Sequence, residues 1–477
     1  MSPPGRKRGG GQGDDKIEMK TIYVIFICIF YLFSHPLPAH AMMSVQEERK
    51  LGEKLLKMVK KEMTLINDPE ITAYVNEAGQ KILKNVGPKY FDYHFFVIQD
   101  EGFNAFAMPG GYVFIHSGLL EAFDRESELE AVLAHEIGHV QGRHIARRMD
   151  QMKKVTLASA ATAIAGLFLG SGKAGTAILA TSGALNQSIA LKYSREDEEE
   201  ADRRAYQWMC KAGYDPSGLS SVMKKIQQNR WLGSDSIPSY LSTHPGAGQR
   251  MTYLEYLLRT DPCPFDKEKE KNLELKRLQV KIETSTKDPI KVTEKYRKKL
   301  KNNPDDIISL YGLANALHAS REYGDAIKTF NTLVLKAPEI SEFRLELAIA
   351  YLDSGKYMEA KKTLEKYHKN HQDDMQADYY LGKSYLETGE ADKALPLFFS
   401  IKDEWPDQAD INLNLGRTYA NLGRNGKSHY HLYLHYQSLG DDKTAEFHKK
   451  MALKLLPKKS ALYKKLSEKK TEKKDEK

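Results

Sequence analysis

From about residue 285 the chain repeats itself every 34 residues. Leu313, Leu347, Leu381 and Leu415 stand at that spacing. So do Ala314, Ala348, Gly382 and Gly416, then Leu317, Tyr351, Tyr385 and Tyr419, then Ala326, Ala360, Ala394 and Ser428. Gly355, Gly389 and Gly423 mark a turn in each unit, and Pro338 and Pro406 close theirs. Small residues let two helices approach closely, and the aromatics fill the space between successive pairs. A helix pair cannot bury its apolar face alone, so the units must stack into a solenoid.

The period and the L-G/A-x-x-Y…A pattern resemble tetratricopeptide repeats over roughly 150–170 residues. Tyr296 and Pro304 fit the second half of an earlier, partial repeat. The pattern fades after Gly423, and an extra helix over 443–456 fits a cap. The repeat domain is assigned to residues 287–457. The charged stretch 262–286 reads as a linker. Residues 458–477, rich in Lys and Glu, read as a solvated, disordered tail. Glu468, Glu472, Asp475 and Glu476 are interleaved with its lysines, and the net charge of +8 is modest for 477 residues. Nucleic acid is therefore not an expected partner.

The other end reads as a targeting segment. Lys20 precedes the apolar run TIYVIFICIFYLF (21–33), and HPLPAHA follows, with Ala39 and Ala41 at the −3 and −1 positions of a cleavage site. This is the order of a secretory signal peptide, assigned to residues 1–41, with Met19 an alternative start. The run is short for a bilayer span. Cys28 lacks a lipobox. Cleavage leaves Cys210 and Cys263, which could form one disulfide in an oxidising compartment, although their spacing does not require it.

Residues 42–261 lie between. Two helices over 44–84 break near Asn67-Asp68-Pro69. Strand-like runs follow at YHFFVIQD (93–100) and YVFIHS (112–117), separated by the turn Pro109-Gly110-Gly111. An amphipathic helix comes next, capped by Asp124 or Ser127. The nearly uncharged stretch 155–191 reads as a helical hairpin packed on the core, each half too short to cross a bilayer. The fold class is mainly α: an α+β domain with a small β-sheet, then an all-α solenoid.

The chemistry starts at AHEIGHVQGRH (134–144). On a helix, residues four apart share a face, so His135 and His139 can present ring nitrogens to one Zn2+, with Glu136 beside the open position as general base. Metzincins take a third ligand from H-E-x-x-H-x-x-G-x-x-H. Here the last histidine, His144, arrives one residue early. On a continuing helix it is half a turn out of phase and faces away. In YSREDEEEAD (193–202), Glu198 and Asp202 again lie one turn apart. Glu198 can complete a His2Glu set, and Asp202 can accept the other ring N–H of a zinc histidine.

Four stretches, NAFAMPGGYVFIHSGLL (104–120), AHEIGHVQGRH, YSREDEEEAD and STHPGAGQR (242–250), together with the repeats, resemble the gluzincin family that includes HtpX and the CAAX prenyl endopeptidases. They resemble in particular its exported, tetratricopeptide-bearing members of the BepA type. The resemblance implies a zinc endopeptidase with one Zn2+ per chain, held by His135, His139 and Glu198, with Glu136 as base. A strand over Asn104, Ala105, Phe106 and Ala107 suits pairing with an extended peptide. A histidine at the position of His244 can reach the zinc in that family. Since a fourth protein ligand closes a catalytic site, His244 is expected to act as a latch, with Arg250 nearer to substrate or transition state. The expected setting is the periplasm of a Gram-negative bacterium, at or near the outer membrane. Substrates would be unfolded or misassembled envelope proteins, and the repeats would bind an envelope protein partner. The family's membrane enzymes carry transmembrane helices between the second and third motifs. This chain has only the hairpin there, which leaves peripheral membrane contact open. The other reading is a chaperone or assembly scaffold in which proteolysis is secondary.

Overall fold

Ser44 opens the first helix with a reciprocal cap: its hydroxyl accepts from Glu47 N–H while the Glu47 carboxylate accepts from Ser44 N–H. That helix, α1 (Val45–Glu62), is followed by α2 (Pro69–Leu83), whose N-cap Asp68 and leading Pro69 break the chain where the sequence places the break. The computed structural model describes residues 43–151, 192–231, 239–265, 272–402 and 410–468, with Met1, 161–164 and 166. Apart from Met1, the expected signal peptide lies outside the described residues.

Strands β1 (His94–Ile98), β2 (Ala105–Met108) and β3 (Tyr112–His116) form one sheet in the order β1-β3-β2. β1 runs parallel to β3, and β2 antiparallel to it. Side chains alternate between two cores, as the pleat demands. Phe95, Val97, Ala105, Ala107, Val113 and Ile115 face α2 and the helices that follow the sheet. Phe106, Met108 and Phe114 face Leu51, Leu55 and Val59 of α1. Ala161, Ala163 and Ile164 are buried in this second core. The rest of the predicted hairpin over 155–191 lies outside the described residues.

After the short α3 (Ser117–Glu121) come α4 (Glu126–Gln141), α5 (His144–Gln151), α6 (Arg195–Ala212), α7 (Ser217–Trp231), α8 (Ser239–Thr243) and α9 (Ala247–Thr260). The sequence predicts an amphipathic α4. In the structure every residue from Glu126 to Val140 is buried, because helices and sheet surround it. Its polar positions face partners instead of water: Glu128 meets Lys225 at 2.9 Å. Neither Asp124 nor Ser127 caps it. The N-cap is Arg125, and Glu128 accepts the N–H of Asp124. Cys210 and Cys263 form a disulfide that ties the end of α6 to the segment after α9.

The predicted linker over 262–286 is corrected. Residues Asn272–Thr286 form a helix, α10. Its Leu275, Leu278 and Ile282 belong to the core built on α2 and α4, and its Val280 belongs to the first core of the repeats. The charged run 266–271 lies outside the described residues, but on α10 Arg277 is buried, Lys281 is 10% exposed, and both are paired. Arg277 bonds Glu70, and Lys281 lies 3.1 Å from Asp68, 2.8 Å from Glu70 and 3.4 Å from Glu346. One helix thus serves both halves of the molecule.

The repeats are built as antiparallel pairs. After α11 (Pro289–Asn302) come α12 (Ile307–Ala319) with α13 (Tyr323–Lys336), α14 (Glu342–Asp353) with α15 (Tyr357–His368), α16 (Met375–Glu387) with α17 (Ala391–Ile401), and α18 (Asp410–Asn421) with α19 (Asn425–Ser438). Ala326, Ala360 and Ala394 are fully buried where the paired helices meet. The turn within each pair needs a left-handed residue: Gly355, Gly389 and Gly423 supply it, and Arg321 takes the same position in the first pair at φ 62°. α20 (Asp442–Leu455) packs on α19 as a cap. The predicted disordered tail is also corrected in part: Ala461–Glu468 form α21, with Leu466 buried against the cap. Among the described residues no helix is long and apolar enough to cross a membrane.

Candidate active site

Two helices crossing closely make the site. Gly138 of α4 lies over Ala201 of α6, and a Cβ there would come within 2.9 Å of the Ala201 Cα. This close approach lets the His135/His139 face of α4 meet the Glu198/Asp202 face of α6. α6 itself starts at a reciprocal cap between Ser194 and Asp197, which sets the phase of Glu198 one residue later.

His135, His139 and Glu198 converge, joined by His244 from the end of α8. One donor atom from each lies within 4.8 Å of the others, and all four side chains are buried. The Nε2 atoms of His135 and His139 are 3.0 Å apart. His244 Nδ1 is 3.4 Å from His135 Nε2 and 3.0 Å from a Glu198 oxygen. Both α4 histidines have their other nitrogen engaged outside the cluster. His135 Nδ1 meets Asp202 at 2.9 Å, and His139 Nδ1 meets His144 Nδ1 at 2.7 Å. Two ring nitrogens therefore face each other across a gap that a cation would fill. Tetrahedral ligands about 2.0–2.1 Å from a zinc ion stand about 3.3 Å apart, so the donor spacing and the imidazole–carboxylate set fit zinc.

Glu136 lies beside the cluster. Both of its oxygens are buried without a hydrogen bond, 3.6 Å at closest from His244 Nε2. Burial raises its carboxyl above the usual range, with the nearby histidines opposing. Glu198 is held well below that range: burial opposes this, but Arg250 and His244 outweigh it. Burial and Arg250 pull the His135 imidazole down, yet the bonds to Asp202 and Glu198 outweigh them and lift it to about 9. His139 is driven well below its ordinary value, chiefly by burial.

Arg250, expected nearer to substrate or transition state, has its guanidinium on the two carboxylates of the site. It is 6% exposed, donates through Nε and Nη2 to the two Asp202 oxygens at 2.7 Å each, and bonds Glu198 through Nη1. α9 lies against α6, so the guanidinium fork spans the two carboxylates and keeps their charge compensated.

Asn104 to Ala107 lead into β2, the strand at one sheet edge. The edge away from β3 faces Tyr193, whose hydroxyl points at the Ala107 carbonyl at 3.5 Å. The ring of Tyr193 stacks on His139, centroids 3.7 Å apart. A cavity of about 220 Å³ opens on the other side of the cluster, lined by Arg195, Glu199, Pro245, Gly246, Gln249, Arg250 and Tyr253.

The expectation for His144 is overturned. The helix does not continue: α4 ends at Gln141, Arg143 turns the chain with φ 50°, and α5 starts at His144. The ring swings back onto His139. Neither Tyr193 nor Tyr240, whose ring stacks on His244 at 4.2 Å, is legible as a site residue, since a lone tyrosine carries no spacing signal.

A helix-borne H-E-x-x-H whose histidines meet a glutamate from a second helix is the arrangement of a metallopeptidase. Residues 69–258 match the model of peptidase family M48, and residues 345–409 that of a tetratricopeptide repeat, so the chain carries an M48 peptidase domain joined to tetratricopeptide repeats. It is 32% identical over 217 residues to the beta-barrel assembly-enhancing protease of Yersinia pestis, covering 45% of this chain and 44% of that protein. To the protein of the same name from Escherichia coli (strain K12) it is 33% identical over 210 residues, 43% of each. The matched part thus spans under half of these relatives' length. Among solved structures, YrrB, a TPR protein with an unusual peptide-binding site, aligns at 20% identity with a TM-score of 0.31, covering 37% of this chain and 91% of that one.

Proposed function

We propose that this chain is an exported zinc endopeptidase that removes misfolded or misassembled envelope proteins. One observation carries the reading: four buried donors converge beside a glutamate whose oxygens make no hydrogen bond among the described residues. His135, His139 and Glu198 would hold one zinc, which acidifies water and polarises the peptide carbonyl. Glu136, raised by burial, accepts a proton from water on a carboxylate oxygen and returns it to the departing amine. Asp202 keeps the His135 proton on Nδ1, and Arg250 holds both carboxylates charged. The edge of β2 pairs with an extended stretch of substrate backbone, which selects unfolded chains over particular sequences.

The relatives named for β-barrel assembly support an envelope role, at or near the outer membrane of a Gram-negative cell. The signal-peptide pattern and the disulfide suit an oxidising compartment such as the periplasm. The repeats would dock a partner or substrate protein. His244 also favours a second mode. As a fourth donor it closes the site, and in that state the protein binds clients without cutting them, as an assembly factor would. The cavity beside Pro245 and Gly246 gives the loop room to withdraw.

Metal analysis of the purified chain tests the reading. We expect one zinc per chain, less after His135→Ala, His139→Ala or Glu198→Ala. Glu136→Gln should retain the metal and lose casein cleavage. Full activity in that variant would remove Glu136 from the mechanism.

A further inference from the structure

His139 carries one of the shortest contacts in the site, and it comes from a residue with no part in the chemistry so far. Its Nδ1 lies 2.7 Å from Nδ1 of His144, which is fully buried. A neutral imidazole has one N–H and one lone pair, so a contact between two ring nitrogens needs one donor and one acceptor. On its far side His144 Nε2 makes no hydrogen bond among the described residues but lies 3.4 Å from a Glu200 oxygen. The negative charge there favours an N–H over a lone pair, and so the His144 proton on Nε2. His144 Nδ1 then carries a lone pair, and the shared proton belongs to His139 Nδ1. That leaves His139 Nε2 as a bare lone pair aimed at His135 Nε2, 3.0 Å away.

The surroundings hold this ring in one place. Glu200 is paired with Arg147 at 2.7 Å and with Arg204. Arg143, in a left-handed conformation that costs a non-glycine residue about 1–2 kcal/mol, is anchored by its guanidinium to the buried Glu48 at 2.8 Å. Gly142 makes the space: a Cβ there would meet His144 Nε2 at 2.1 Å. Tyr193 stacks on His139 at 3.7 Å and meets His144 edge-on at 6.2 Å.

We propose that His144 is a positioning residue for the metal: through its contact with His139 it fixes which nitrogen of that ring is free to bind. Glu200 and Gly142 serve it in turn, one by setting its tautomer and the other by leaving it room. The arrangement does for His139 what Asp202 does for His135, with a histidine and a glutamate in series in place of one aspartate. The inference rests on His139 being a metal ligand, as proposed above. It accounts for the G-R-H that follows H-E-I-G-H without making His144 a ligand.

The test measures zinc affinity of the full chain by chelator competition, with the thermal midpoint of each variant recorded under excess chelator. His144→Phe keeps a ring and loses the acceptor. His144→Gln keeps an acceptor oxygen. Loss of such a supporting partner typically weakens metal binding ten- to a hundredfold. We expect that loss in His144→Phe, substantial recovery in His144→Gln, and a similar loss in Gly142→Ala, which displaces the ring without touching a ligand. Wild-type affinity in His144→Phe would overturn the proposal. Equal losses in the Phe and Gln variants, tracking their metal-free midpoints, would reduce His144 to a packing residue and overturn it too. A wild-type chain that takes up no zinc would sink the site reading itself, and this inference with it.

Discussion

Tyr240 lies face to face with His244, ring centroids 4.2 Å apart and planes within 17°. The two are one helical turn apart, joined by a backbone bond from His244 N–H to the Tyr240 carbonyl at 2.8 Å. The Tyr240 hydroxyl makes no hydrogen bond among the described residues, so its side chain holds His244 by stacking alone. Such a stack contributes about 0.5–1.5 kcal/mol. That is strong enough to bias the loop and weak enough to release it.

His244→Ala should therefore raise casein cleavage and self-cleavage while zinc stays bound through three ligands. Tyr240→Leu should raise cleavage less, by roughly two- to tenfold, the factor equivalent to the lost stack. Loss of cleavage in His244→Ala with metal retained would make His244 a transition-state donor and end the latch model.

Arg250 compensates two buried carboxylates, Glu198 and Asp202. Removing one partner of a buried ionic group typically costs about 3–5 kcal/mol. Arg250→Leu should lower the unfolding free energy of the metal-free protein, measured by urea titration, by an amount of that order. Arg250→Lys should recover only part, since an ammonium cannot span both Asp202 oxygens. An unchanged unfolding free energy in Arg250→Leu would show that the carboxylates do not depend on it.

Away from the site, His431 gives a pH prediction. Burial, helped by Lys402 and Lys427, depresses its imidazole from 6.5 to about 3. The folded state thus holds it neutral while the unfolded chain takes up a proton below 6.5. Its contribution is full above 6.5 and is lost as pH falls towards 3, with a limiting slope of about 1.4 kcal/mol per pH unit. His431→Phe should flatten the acid limb of the stability curve between those values. A limb of unchanged slope would mean the ring is accessible to protons in the folded state.

α10 should decide where the chain can be cut. A fragment 272–468 should melt cooperatively at a higher temperature than 287–468, which lacks the helix that covers Tyr311. Likewise 43–286 should be more stable than 43–265, which loses Leu275, Leu278 and Ile282 from its core. Equal melting temperatures within each pair, followed by circular dichroism, would show that α10 is dispensable to both halves.

Much of the architecture was legible in the sequence because it follows from local periods. Residues four apart share a helix face whatever surrounds them. That is why His135 groups with His139, and Glu198 with Asp202, without any tertiary contact. The 34-residue period marked the repeats for the same reason, and Asp68-Pro69 marked a helix start. The position of His144 could not be read this way. Extrapolating a straight helix sent it to the wrong side, because the reversal at Arg143 depends on Glu48, 95 residues away in sequence.

By itself, then, the sequence determined which residues share a face, where helices begin, and how the solenoid repeats. Each of these is settled within a few turns of backbone. The tertiary structure alone decided which faces meet. Only there does Gly138 let α6 close on α4, and His244 arrive as a fourth donor. A charged segment that composition marks as solvated becomes a buried helix, because Glu70 and Glu346, distant along the chain, are placed to neutralise Lys281.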